Sequence, residues 1–279
     1  MRAKMTSSAV LQPALSVVLE ALEKIRDSQE KPLRVSRATL NRLFEQAPPG
    51  AVEADVLAAT QLGEGGSPAR KGDVAAKAAA LARVRERVCV CMKCPHLART
   101  RAQTVFGVGN PDAELMFVGE APGADEDARG EPFVGRAGQL LTRIIETMGL
   151  SRDQVYIANI LKCRPDMPKG APGNRAPTPD EMSTCIDYLI EQIEIIQPRV
   201  LVALGATAVQ GLLGTHGPMR QLRGTWRSYH DTPLMITYHP SYLLRNQSPA
   251  EKRKVWEDMM SVLEKLDHPI SERQRNYFR

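Results

Sequence analysis

The 279-residue chain has no apolar run approaching the roughly 18 residues of a membrane span. Its most apolar early stretch, AVLQPALSVVL, is interrupted by Gln12 and Pro13, unlike a secretory signal, so a cytoplasmic protein without membrane association is expected. Cysteine is scarce: five residues, clustered in a way that points to metal binding rather than to a disulfide framework. An excess of one charge is also missing from most of the chain. The net charge is +5, but the first 85 residues hold 13 Lys/Arg against 9 Asp/Glu, leaving 24 against 23 for the rest. Any contact of that body with nucleic acid must therefore use local basic patches, with the first segment adding a mild general attraction. There is no internal repeat, and no nucleophile elbow of the α/β hydrolase kind. What is present, 43% hydrophobic and 25% charged residues, is ordinary globular composition.

Residues 1–47 carry two helical patterns, VVLEALEKIR and ATLNRLFEQ, and read as a helical or partly disordered extension of unknown role that could dock a protein partner. Residues 48–73 shift to Pro, Gly and Ala and read as a linker. Residues 74–279 form the main domain. Within it a helix to Val88 precedes short apolar runs at Leu115 to Val118, Val155 to Ile160, Val200 to Leu204 and Leu234 to Thr237, with helical patterns between them at Ala137 to Met148, Pro179 to Ile196 and Thr207 to Leu213. That alternation predicts an α/β fold: a mostly parallel central sheet with helices on both faces. Glu120, Asn159, Gly205 and His239 stand at or just beyond the ends of successive strands, so they should converge along one carboxyl edge, where open α/β sheets bind ligands.

The segment MFVGEAPGADEDARGEPFVGRAGQLL (Met116 to Leu141) has the layout of a site rather than a core. A strand ending in Gly119 delivers Glu120 to the sheet edge, and Pro122 and Gly123 force a turn. Asp125, Glu126 and Asp127 crowd into the loop, and Phe133 follows in a Pro/Gly frame that no core requires. The cysteines are Cys89, Cys91, Cys94, Cys163 and Cys185. Cys91-x-x-Cys94 offers two thiolates from one turn, and Cys163 and Cys185 flank a Pro/Gly-rich segment long enough to bring them together. Spacing alone leaves zinc, an iron-sulfur centre and unligated buried thiols open, and Cys89 could geometrically replace Cys91.

GEAPGADEDARGEPFVGRAG, YIANILKCRP, the GNR at Gly173 to Arg175, LVALG and HPSYLLRN together resemble the family 4 uracil-DNA glycosylases, over about Val88 to Leu266 and in the family's order. The resemblance implies a parallel sheet between helices, removal of uracil from DNA, and a 4Fe-4S cluster on Cys91, Cys94, Cys163 and Cys185, with Cys89 as an extra. The Cys163 to Cys185 interval looks longer than is usual there, with additional residues near Asp166 to Ala171. A related branch that traps its product through a histidine in a KRRIH insertion differs from this chain, which has Ala121 where that branch has Gln and no histidine in the loop. Turnover, not a covalent adduct, is expected.

On this reading the enzyme flips uracil out of the stack, at a cost of roughly a few kcal/mol. Phe133 stacks on the ring, worth about 1 to 3 kcal/mol without base selectivity. Asn159 donates to O4 and accepts from N3-H, provided its neighbours hold the amide fixed; Glu126 forms the wall that a thymine methyl would strike, and Gly119 completes the base-binding set. His239, as a neutral imidazole, donates to O2 as charge develops on the departing base. Glu120 stabilises the sugar cation or orients water, with Asp127 and Glu126 as rivals. Leu243, Leu244 and Arg245 lie where a wedge would enter the duplex, the alternative being a buried helix. Gly138 and its neighbours open a helix suited to a phosphate, and Arg136, Arg223, Arg227 and Arg245 are candidate backbone contacts. Trp226 and Trp256 read as core. No lysine in the matched strand-end motifs offers a Schiff base, Lys162 beside Cys163 being nearest, so a monofunctional, monomeric glycosylase leaving an abasic site is expected. The competing reading is a non-catalytic iron-sulfur DNA-binding or adaptor module that keeps the base pocket.

Overall fold

Parallel strands buried on both faces need apolar residues at every position, and the strand LMFVG supplies them. In the computed structural model this is β2 (Leu115–Gly119), with all 5 of its residues buried. The structure describes residues 71–278 apart from 166 and 168–172. The extension expected over 1–47 and most of the linker over 48–73 lie outside these residues, as do all but Met167 of the additional residues near Asp166 to Ala171. The first described helix, α1 (Lys71–Cys89), begins inside the segment read as linker.

In chain order there follow α2 (Pro95–Thr100), β1 (Val108–Gly109), β2, α3 (Ala124–Arg129), α4 (Arg136–Thr147), β3 (Tyr156–Asn159), α5 (Pro179–Ile196), β4 (Val200–Leu204), α6 (Ala206–Leu213), α7 (Met219–Leu222), β5 (Trp226–Tyr229), β6 (Thr232–Thr237), α8 (Pro240–Arg245), α9 (Pro249–Lys265) and α10 (Glu272–Arg275). The sheet order is β1-β3-β2-β4-β6-β5. The inner strands run parallel, as expected, and β1 and β5 add antiparallel edges. Alternate residues of β2 feed different cores. Met116 and Val118 join Leu189 and Ile193 of α5, whereas Leu115 and Phe117 join Leu141 and Ile145 of α4 and Trp256 and Val262 of α9. Register then places the site. Gly119 pairs with Asn159 and Leu204 with Thr237, so the segments that follow these strands emerge side by side at one edge.

Candidate active site

At that edge a cavity of about 520 Å³ is lined by Glu120, Glu126, Phe133, Asn159, Thr207 and His239, with Arg245 at its rim. Residues from β2, β3 and β6, expected from sequence to converge, do so. The close approach of β2 to β3 requires Gly119, since a Cβ there would overlap Asn159 Oδ1 and the Phe133 ring. Phe133 is buried and holds φ at 55°, in the left-handed region. Arg152 straps that conformation by donating from Nη2 to the Pro132 carbonyl at 2.9 Å and from Nη1 to the Phe133 carbonyl at 3.2 Å. Gly138, buried in the first turn of α4, lets the helix press on the Phe133 backbone, because a Cβ there would overlap it. The glycine thus serves close packing beneath the aromatic ring. Arg136, exposed at the start of the same helix, does not line the cavity.

Asn159 is buried, and among the described residues its Oδ1 has no hydrogen-bond partner. A lone buried acceptor of this kind costs about 1 to 3 kcal/mol unless something fills the partner's place. Among the described residues no hydrogen bond fixes the amide itself; the buried Lys162 holds the backbone beneath it, its Nζ donating to the Asn159 backbone carbonyl at 3.0 Å and to Gln192 Oε1 at 2.5 Å.

His239 keeps a half-buried face on the cavity, and its ring lies 5.6 Å from that of Phe133. The protein around the imidazole and the nearby positive charge of Arg245 bring its pKa down to about 4, so it is neutral near pH 7. The Ser241 backbone N–H donates to Nδ1 at 3.1 Å. With that lone pair engaged, the ring proton belongs on Nε2.

The acids separate by what they touch. Glu126 accepts from the backbone N–H groups of Gly123 at 3.1 Å and of Val134 and Gly135, each at 2.9 Å, so it clamps the loop while lining the cavity. Asp127, expected as a rival catalytic carboxylate, is buried away from the cavity and takes the Ala102 N–H on both oxygens, at 2.9 and 3.1 Å. It joins the loop to the segment after α2. Glu120 does line the cavity, and Thr207 Oγ1 donates to its Oε2 at 2.6 Å. For Leu243 and Leu244, of the two readings left open, the helix is the one found. Leu244 does not line the site cavity. It sits in α8, half-buried, and lines a separate apolar cavity with Leu140, Ile144 and Trp256, while Leu243 is buried. Arg223 is engaged by Asp258, whereas Arg136, Arg227 and Arg245 are exposed. Sequence reasoning passed over Thr207, Ser241 and Asn174. For Thr207 the available signal was a hydroxyl in the first helical turn after a strand that ends at the site.

Cys91, Cys94, Cys163 and Cys185 line one small cavity between α2, the loop after β3 and α5. Arg101 Nη1 donates to Cys163 Sγ at 3.1 Å and the Lys162 backbone N–H to Cys185 Sγ at 3.3 Å, the donors that thiolate ligands require. Cys89 is exposed and does not line the cavity. Burial pushes the free Cys185 thiol up to about 11 and raises Cys94 and Cys163, which keeps uncoordinated thiols protonated and unreactive.

Fold and site together define an α/β protein with a cavity at the carboxyl edge of its parallel strands that is lined by an aromatic ring, an amide and an imidazole. The family model for the uracil DNA glycosylase superfamily matches residues 106–260, more than half of the chain. A type-4 uracil-DNA glycosylase of Thermotoga maritima is 48% identical over 179 residues, covering 63% of this chain and 89% of the relative. One from Sulfurisphaera tokodaii is 41% identical over 194 residues, 66% of this chain and 84% of the relative. One from Archaeoglobus fulgidus is 55% identical over 120 residues, 43% of this chain and 57% of the relative. The chain belongs to the type-4 uracil-DNA glycosylases of this superfamily.

Proposed function

We propose that the protein hydrolyses the N-glycosidic bond of uracil in DNA and leaves an abasic site. The observation that carries this reading is the buried, unpartnered Oδ1 of Asn159 in a pocket that also holds an aromatic ring and a neutral imidazole. Uracil N3-H is the donor this acceptor lacks, and the Nδ2 group of the same amide donates to O4. Cytosine presents the reverse pattern and leaves both partners mismatched, which a buried polar site penalises heavily. Phe133 stacks on the extruded ring, and its Arg152-strapped backbone keeps that platform rigid. His239 Nε2-H donates to O2 as negative charge gathers on the departing base, and being neutral it stabilises that charge without transferring a proton beforehand. Glu120 faces the sugar, where it orients the attacking water and balances the developing cation. Glu126 shapes the wall beside the C5 edge while its carboxylate holds the loop.

The donor set suits an iron-sulfur cluster on Cys91, Cys94, Cys163 and Cys185. Four thiols line one small cavity, with N–H donors aimed at two of the sulfurs, which is the donor chemistry such a cluster takes. When bound, a 4Fe-4S cluster supplies cross-linking of α2, the loop after β3 and α5. Lys162 connects that region to the pocket, since its backbone meets Cys185 and its side chain meets Asn159. Arg136, Arg245 and the helix start at Ala137 and Gly138 are offered as contacts to the DNA backbone around the flipped nucleotide, with Leu244 beside it. No helix among the described residues is long and apolar enough to cross a membrane. We take the protein to act as a monomer in the cytoplasm, with any protein partner met by the N-terminal segment.

Incubation of the purified protein with a single-uracil oligonucleotide, followed by alkali, tests the activity. Strand scission at the uracil position is expected. Its absence with protein that shows the visible absorption of an iron-sulfur centre would favour the non-catalytic module.

A further inference from the structure

We infer that Thr207 is a positioning residue for Glu120: its hydroxyl fixes the carboxylate so that the second oxygen is presented to the reaction. The inference rests on the uracil-excision reading and deepens it. Thr207 lies in the first turn of α6, which follows directly on β4 and Gly205. The Gly205 N–H donates to the Thr237 carbonyl at 2.9 Å, and a Cβ on Gly205 would press on His239, so the backbone carrying Thr207 is tied to β6 beside the imidazole. From that anchored position Oγ1 donates to Glu120 Oε2 at 2.6 Å, and both side chains line the same cavity. Among the described residues this is the one hydrogen bond made by the Glu120 carboxylate.

A glutamate at the end of a strand has rotatable side-chain bonds and, left unrestrained, samples several orientations. Water attack or cation stabilisation needs one of them, and a misplacement of about 1 Å costs on the order of a hundredfold in rate. The hydroxyl removes that freedom at one oxygen. It leaves Oε1 as the acceptor without a partner among the described residues, available to a water or to the positive sugar. Since the Thr207 proton is committed to Glu120, this side chain is not a donor to the base, and its effect should run through the carboxylate alone.

Thr207→Val keeps the side-chain shape and removes the donor, whereas Thr207→Ser keeps the donor and trims a methyl group. Steady-state kinetics on a single-uracil oligonucleotide should show kcat for Thr207→Val about tenfold to a hundredfold lower, the size expected for a lost hydrogen bond to a charged group. KM should stay within about twofold, because base binding is untouched. Thr207→Ser should retain most of the wild-type kcat. In a Glu120→Ala background, Thr207→Val should cost nothing further, the signature of two residues acting as a unit. Wild-type kinetics for Thr207→Val, equal losses for Val and Ser, or the same penalty with and without Glu120 would each overturn the assignment. Failure of the wild-type protein to excise uracil, or full activity of Glu120→Ala, would instead remove the underlying reading of the site.

Discussion

The Phe133 ring and the His239 imidazole lie with centroids 5.6 Å apart and planes tilted by 33°, although one belongs to the loop between α3 and α4 and the other to the segment after β6. A face for a flat base and a donor for its edge thus meet in one cavity, and Asn159 enters it from a third strand. The arrangement follows from parallel strand order, because β3, β2, β4 and β6 all release their next segments at the same edge. Phe133 can face this way because Gly119 and Gly138 make room for it.

Gly119→Ala should therefore damage the pocket more than the fold. The added methyl overlaps Asn159 Oδ1 and the Phe133 ring, and overpacking of this kind costs about 1 to 3 kcal/mol. Uracil excision should fall sharply while thermal melting shows a cooperative, moderately lowered transition. Activity equal to wild type would mean that the two side chains do not need their observed spacing.

The imidazole makes a prediction about pH. In the unfolded chain His239 titrates near its ordinary 6.5, whereas in the fold burial and Arg245 bring it to about 4. Between those values the unfolded chain binds the extra proton, so this group's contribution to stability rises with pH across the window and is lost as pH falls through it. Denaturant midpoints of wild type and His239→Gln, measured across that range, should diverge: the variant lacks this component of the slope. Parallel curves would show that the imidazole is not desolvated as described.

Loss of one thiol tests the metal centre. Cys163→Ala removes a side chain that accepts from Arg101 and lines the four-cysteine cavity. The variant should be purified without the visible absorption of the wild type and melt at a lower temperature. Cys89→Ala should keep both colour and stability, since Cys89 is exposed and outside that cavity. A bleached Cys89→Ala with coloured Cys163→Ala would reverse the ligand assignment.

The inner strands were legible in the sequence because each is a short, continuous apolar run, and their order along the chain implied the shared edge that unites Glu120, Asn159 and His239. The edge strands were not. β1 has only 2 residues, and β5, WRSY, exposes Arg227 and Ser228 with no apolar run to mark it. Neighbouring acids were equally opaque. Glu126 and Asp127 are adjacent, yet one clamps the loop that lines the cavity and the other turns away to Ala102, a distinction set by the α3 helix and not by residue type. For Leu243 and Leu244 the sequence left a wedge loop and a buried helix both open; Pro240 starts the helix, and Leu244 lines a cavity with Trp256. Thr207 was read only as the start of a helix, because a partner that comes from β2 leaves no local pattern.

Whether Asn159 reads the edge of an extruded uracil is decided by single-turnover excision from a single-uracil oligonucleotide with wild type and Asn159→Ala side by side. We predict alkali-labile product for the wild type and a rate about a hundredfold lower or more for the variant, the loss typical of removing one donor to developing charge, with the visible spectrum unchanged. A variant as fast as the wild type would contradict the account.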